Sequence, residues 1–231
     1  MSARPAMPPS IININAIAIK LEQPFSIRQL ATVASLSLSV YLCQGQVNWH
    51  RHLDEDELFL VHEGVVALDT QRGRLTLHSE ELAVVPKGLG HRTGSQLRSI
   101  VLVLRPTVLT NRTNGHRHGV VDTDPPIEKV RLSRVLATIS EPYRGMTVGR
   151  VEDFDVLLVS ASGFGPPDTA AADGALWLCL RGAVGIETNE GAGVRLEAGE
   201  LTVLPPGQAY RVTSAEPSLL LTLARASGQP D

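Results

Sequence analysis

The chain has few cysteines, no surplus of basic charge and no long apolar run, and each shortage removes a class of function. Only Cys43 and Cys179 occur in 231 residues, too few for a disulfide framework. Each sits inside an apolar, strand-like run and reads as a small buried hydrophobe. Lysine and arginine number 21 against 24 aspartates and glutamates, a formal net charge of −3. Nothing electrostatic therefore favours DNA, RNA or an anionic membrane as a partner. The Pro- and Ala-rich start, Met1 to Ser10, lacks the apolar core of a signal peptide. The run Ile11 to Ile19 is broken by Asn13 and Asn15 and falls well short of the roughly 20 residues that span a bilayer. The chain reads as soluble and cytoplasmic.

Sustained helical periodicity is also missing. What is present is a succession of short apolar runs, such as Ser99 to Leu104, Val156 to Val159 and Leu219 to Leu223. They are rich in Leu and β-branched residues and are punctuated by Gly, Pro, Asn and Asp. That pattern predicts an all-β sandwich or barrel and not βαβ units. Ser26 to Ser37 resembles the opening of a helix-turn-helix, but an apolar strand-like run, Leu38 to Gln44, stands where a basic recognition helix would be needed.

The sequence repeats internally. Glu81-Leu82-Ala83-Val84-Val85-Pro86-Lys87-Gly88 aligns with Glu200-Leu201-Thr202-Val203-Leu204-Pro205-Pro206-Gly207 at an offset of 119, and Gly64-Val65-Val66-Ala67-Leu68 with Gly182-Ala183-Val184-Gly185-Ile186 at 118. The extra residue falls in a turn, where insertions are tolerated. A duplicated domain follows, with halves at residues 1–106 and 127–231 and a linker at 107–126, rich in Thr, Asn, Asp, Gly and Pro.

The chemistry concentrates in His50-Arg51-His52-Leu53-Asp54-Glu55-Asp56-Glu57. Strand side chains alternate faces, so His50 and His52 point the same way. Glu57 opens the next run, and His91 follows the turn Pro86-Lys87-Gly88-Leu89-Gly90. If these strands are neighbours, three imidazoles and a carboxylate converge. Such a set suits one divalent transition metal ion, Fe, Mn, Ni, Zn, Co or Cu, and four ligands on an octahedral ion leave about two positions open. Buried without a metal, the cluster would be costly.

These residues resemble the two short motifs of cupins. The first, His-x-His, three or four residues, Glu, six residues, Gly, is met by His50, His52, Glu57 and Gly64. Of the second, Pro86, Gly88 and His91 match, while Glu80 replaces the leading Gly and Ser95 the final Asn. Neither departure touches a ligand position. The resemblance implies two tandem jelly-roll barrels with a metal inside the first. In the second, Asp168, Ala170, Ala175 and Tyr210 stand at the four ligand positions, so that barrel reads as structural, with a metal-free pocket around Tyr210 and Trp177 as the alternative.

Other residues carry less. Asn48 shares the face of His50 and Phe59 that of Glu57 by alternation, making both candidates to line a substrate site. Asp54, Glu55 and Asp56 read as a solvated loop, and His62 and His78 as structural. His116 and His118 repeat the His-x-His spacing inside the linker without a following Glu. The expectation is a metal-dependent enzyme on a small organic substrate, of dioxygenase, decarboxylase or isomerase class. The competing reading is a non-catalytic small-molecule or metal-binding protein. Edge strands predict a homodimer, with the run Ile11 to Ile19 exchanged between subunits.

Overall fold

A computed structural model describes residues 9–109, 112–114, 124–189, 191 and 193–226. In the first half the strands are β1 (Ile12–Asn13), β2 (Arg28–Val33), β3 (Leu36–Gln46), β4 (His50–His52), β5 (Glu57–Glu63), β6 (Val65–Thr70), β7 (Gly73–His78), β8 (Glu81–Val85) and β9 (His91–Pro106). Then come β10 (Arg112–Asn114), β11 (Lys129–Arg131), β12 (Met146–Val151), β13 (Phe154–Thr169), β14 (Ala175–Arg181), β15 (Ala183–Thr188), β16 (Val194–Glu197), β17 (Glu200–Leu204) and β18 (Ala209–Arg225). The two helices are single turns, Ile14–Ala18 and Leu132–Leu136. Neither they nor any other helix of the described residues is long and apolar enough to cross a membrane. The segment that resembled a helix-turn-helix forms β2, a tight turn and the start of β3.

The strands gather into two jelly-roll units. One comprises Ala16–Ser133 with Gly149–Phe154, the other Met1–Asn15, Arg134–Val148 and Asp155–Asp231. The units are thus not the contiguous blocks expected from the sequence. Ile12 pairs with Leu201 and Asn13 with Glu200, while Val130 pairs with Leu82 and Arg131 with Glu81. These registers repeat at the same offsets of 118 and 119. The edge that β1 was expected to offer another subunit is therefore satisfied within the chain. The expected linker is shorter too, because Arg112–Asn114 forms β10 and pairs with β4.

In the first unit the long strand β9 is the hub, pairing with β3, β4, β5 and β6. Alternation sends Tyr41, Cys43, Phe59, Val61, Ala83, Val85, Val101 and Val103 to one packed core. Full burial of each larger side chain contributes about 1.5–3 kcal/mol. Both cysteines are free and buried, and burial pushes their thiols up, to about 12 at Cys43 and about 11 at Cys179.

One device recurs in both units. Gly64 and Gly182 adopt positive φ, +96° and +77°, and a Cβ at either would collide with the hydroxyl of Ser99 or Ser218. Those hydroxyls accept the backbone N–H groups of Val65 and Ala183, each at 3.1 Å. Ser95 donates to the Val65 carbonyl at 2.7 Å, and Ser214 to that of Ala183 at 3.0 Å. The serine at the motif's final position thus does local work of its own.

Candidate metal centre

The three-residue strand β4 presents His50 and His52 on one face, and its pairing sets His50 directly opposite His91 on β9. The two rings lie 4.5 Å apart between centroids. Glu57, first residue of β5, completes the group. One ligand atom from each of His50, His52, Glu57 and His91 lies within 4.8 Å of every other, and all four residues are buried.

The outer sides of the His50 and His91 rings are spoken for. Nδ1–H of His50 donates to the Asn48 carbonyl at 2.9 Å, and Nδ1–H of His91 to the Leu89 carbonyl at 3.0 Å. Nδ1 of His52 faces a carboxylate oxygen of Glu55 at 3.9 Å. Nε2 is thereby left for the centre. Nε2 of His91 is 3.0 Å and Nε2 of His52 3.3 Å from Oε2 of Glu57. In a neutral imidazole whose Nδ1 carries the proton, Nε2 is an acceptor. Two acceptors at such separations need a proton or a cation between them. His52 is 2% exposed, yet neither of its ring nitrogens has a hydrogen-bond partner, an expensive arrangement unless an ion completes it. The donor set and its unmet nitrogens fit a transition metal.

The electrostatics point the same way. Burial, reinforced by the neighbouring His91, pushes His50 down to about 4, and burial also lowers His52, so both rings are held neutral at physiological pH. Burial alone would raise Glu57. The His91 ring against Oε2, the positive forms that His91 and His52 take in acid, and the charge of Arg105 outweigh it and bring the carboxyl to about 2. Nη1 of Arg105 donates to Oε1 of Glu57 at 2.9 Å.

A cavity of about 250 Å³ opens onto the group. Phe25, Ile27, Val47, Phe59, Val103 and Leu109 supply apolar wall, and Tyr41, Thr93, Arg105 and Arg112 the polar atoms. Phe59 lies 5.8 Å from the His91 ring. Asn48 is placed otherwise than alternation suggested. Strand β4 begins only at His50, so the Asn48 side chain is exposed and off the cavity wall; its carbonyl holds His50. The loop Asp54–Asp56 is not uniformly solvated: Glu55 is 4% exposed, and Asp56 accepts from the backbone N–H of Lys87 at 2.8 Å and of Glu152 at 3.3 Å. His78 lies 3.4 Å from Glu81. His62 stands outside the group of four, and burial lowers its pKa. His116 and His118 lie outside the described residues.

Sequence reasoning missed Arg105, Arg112, Tyr41 and Thr93. For Arg105 a signal existed: it ends an apolar run an even number of residues from His91 on the same strand, and so shares its face.

In the second unit the corresponding space is packed. Ala170, Ala175, Trp177 and Tyr210 belong to its hydrophobic core. The Tyr210 hydroxyl donates to Asp168 at 2.9 Å, and the Trp177 and Tyr210 rings meet edge to face at 6.1 Å. Among the described residues no other cluster of His, Cys, Asp and Glu is able to hold a metal ion.

No family model matches the chain. It is 31% identical over 91 residues to the uncharacterized protein YdbB of Bacillus subtilis (strain 168), covering 39% of this chain and 80% of that one. A cupin 2 conserved barrel domain protein from Leptotrichia buccalis superposes with a TM-score of 0.71 at 10% identity, covering 96% of this chain and 98% of that chain. The chain has the cupin fold. Salicylate 1,2-dioxygenase from Pseudaminobacter salicylatoxidans also shares the fold, with a TM-score of 0.75 at 12% identity over 97% of this chain and 87% of that one. The same enzyme has been solved as adducts with gentisate (TM-score 0.73, 12% identity, 97% and 83% covered).

Proposed function

We propose that this cupin-fold protein is a metal-dependent enzyme acting on a small organic molecule, with dioxygenation as its leading reaction class and decarboxylation and isomerisation as the others. His50, His52, Glu57 and His91 are the ligands of a single divalent ion. The observation that carries the reading is buried His52, neither of whose ring nitrogens has a hydrogen-bond partner and whose Nε2 turns toward the same Glu57 oxygen that His91 approaches. The dioxygenase relatives of like fold support the reaction class. A bound ion would supply Lewis acidity and open coordination positions.

The chain's own residues do the rest. The carbonyls of Asn48 and Leu89 fix two imidazoles in one tautomer. Arg105 occupies Oε1 of Glu57 and leaves Oε2 to the centre. The apolar wall from Phe25 to Leu109 limits water around the substrate. Tyr41 donates to Thr93 at 3.1 Å, and burial raises its phenol so that it stays protonated. The reading includes a homodimer, checked by a light-scattering mass of two chains.

The test is turnover of candidate small organic acids by metal-loaded protein, under air and under argon, with oxygen uptake recorded. Uptake matched to product, and none under argon, is expected. Equal turnover under argon would move the protein to the lyase or isomerase class. Absence of turnover with every compound, together with ligand-induced thermal stabilisation, would make it a non-catalytic binder.

A further inference from the structure

We propose that the cavity takes a small organic carboxylate, recognised by the guanidinium of Arg112; this rests on the reading of the cavity as a substrate site. Three residues with fixed formal charge line it: Glu57, Arg105 and Arg112. Two arginines against one glutamate give the cavity lining a positive surplus even before a divalent cation adds to it. The two arginines differ in their commitments. Arg105 donates to Glu57 at 2.9 Å. The side chain of Arg112, which is exposed, makes no hydrogen bond or ion pair among the described residues.

The placement of Arg112 is set by strand pairing, because β10 adds to the edge of β4 with Arg112 opposite His52. The backbone of Arg112 is thereby fixed beside the strand that carries two of the four converging side chains, and its uncommitted side chain lines the cavity. Its planar fork matches a carboxylate through two parallel N–H···O bonds. Apolar residues make up much of the remaining wall, and a cavity of about 250 Å³ is below the usual range of roughly 300–1,000 Å³ for drug-sized ligands. The occupant is therefore small, with an apolar body and one anionic end. A neutral molecule of the same shape would leave the surplus charge unanswered.

The experiment measures dissociation constants of benzoate, butyrate and the neutral isostere benzamide, at fixed ionic strength. It uses the full chain in metal-loaded and EDTA-treated forms, as wild type, Arg112→Met and Arg112→Lys. Benzoate is expected to bind about tenfold or more tighter than benzamide in both forms. Arg112→Met should remove that preference, and Arg112→Lys should keep part of it. Metal content measured on the same samples separates the two readings. A wild type without metal overturns the proposed ligand set, while the EDTA-treated protein still reports on Arg112. Equal binding of benzoate and benzamide, or benzoate binding by Arg112→Met at the wild-type level, would overturn the proposal. If Arg112→Met fails to fold, Arg112→Lys and the salt dependence of benzoate binding decide instead: affinity independent of salt counts against it.

Discussion

Nη1 of Arg105 donates to Oε1 of Glu57 at 2.9 Å, which turns the other carboxylate oxygen, Oε2, toward His91 and His52. Glu57 is thus prepared to offer one oxygen, and Arg105 acts on the centre through it. Arg105→Met is expected to weaken metal affinity by about tenfold while retaining the fold. Chelator competition measures it, and unchanged affinity would show that the pair matters only for packing.

Glu55 is the corresponding support for His52. Its carboxylate lies 3.9 Å from Nδ1, so a shift of about 1 Å closes a charge-assisted hydrogen bond. Glu55→Ala should lower metal affinity by about 10–100-fold and Glu55→Gln by less. A dissociation constant unmoved in both variants would return Glu55 to a purely structural role.

Gly64 and Gly182 are predicted to be irreplaceable for the same reason. Alanine at either position meets positive φ and the hydroxyl of Ser99 or Ser218. Each change should cost about 1–3 kcal/mol in denaturant unfolding. Adding Ser99→Gly to Gly64→Ala should recover only the steric part.

Acid should loosen the pairing of β11 with β8. Burial alone would raise the carboxyl of Glu81, but the hydrogen bond from Lys129 at 2.6 Å, those from His78 and the charge of Lys129 bring it to about 2. Its folded pKa is below the unfolded value of 4.5, so the stabilisation is fully present above that value and is lost as pH falls toward 2. Glu81→Gln should flatten the decline of Tm with acid across this window. An acid limb as steep as that of the wild type would contradict the assignment.

Much of this was readable from residue order. A period of two puts His50 and His52 on one face, and the Pro-x-Gly turn delivers His91 to the strand opposite. What escaped depends on contacts distant along the chain. The Thr- and Asn-rich composition around Arg112 reads as linker, and only the open edge of β4 makes it a strand. Three acidic residues ahead of Glu57 suggest water, yet the turn folds Glu55 beneath His52. Alternation was carried one step too far at Asn48, where no strand has begun. The partner of β1 lies in β17, nearly the whole chain away, and no local pattern announces it.

The central claim is that His50, His52, Glu57 and His91 hold one metal ion, and metal content by mass spectrometry tests it most directly. The purified wild type should carry, or take up on reloading, about one equivalent per chain, and His91→Ala and Glu57→Ala should lose it while remaining folded. A wild type that neither holds nor takes up metal, or variants that retain a full equivalent, would contradict the account.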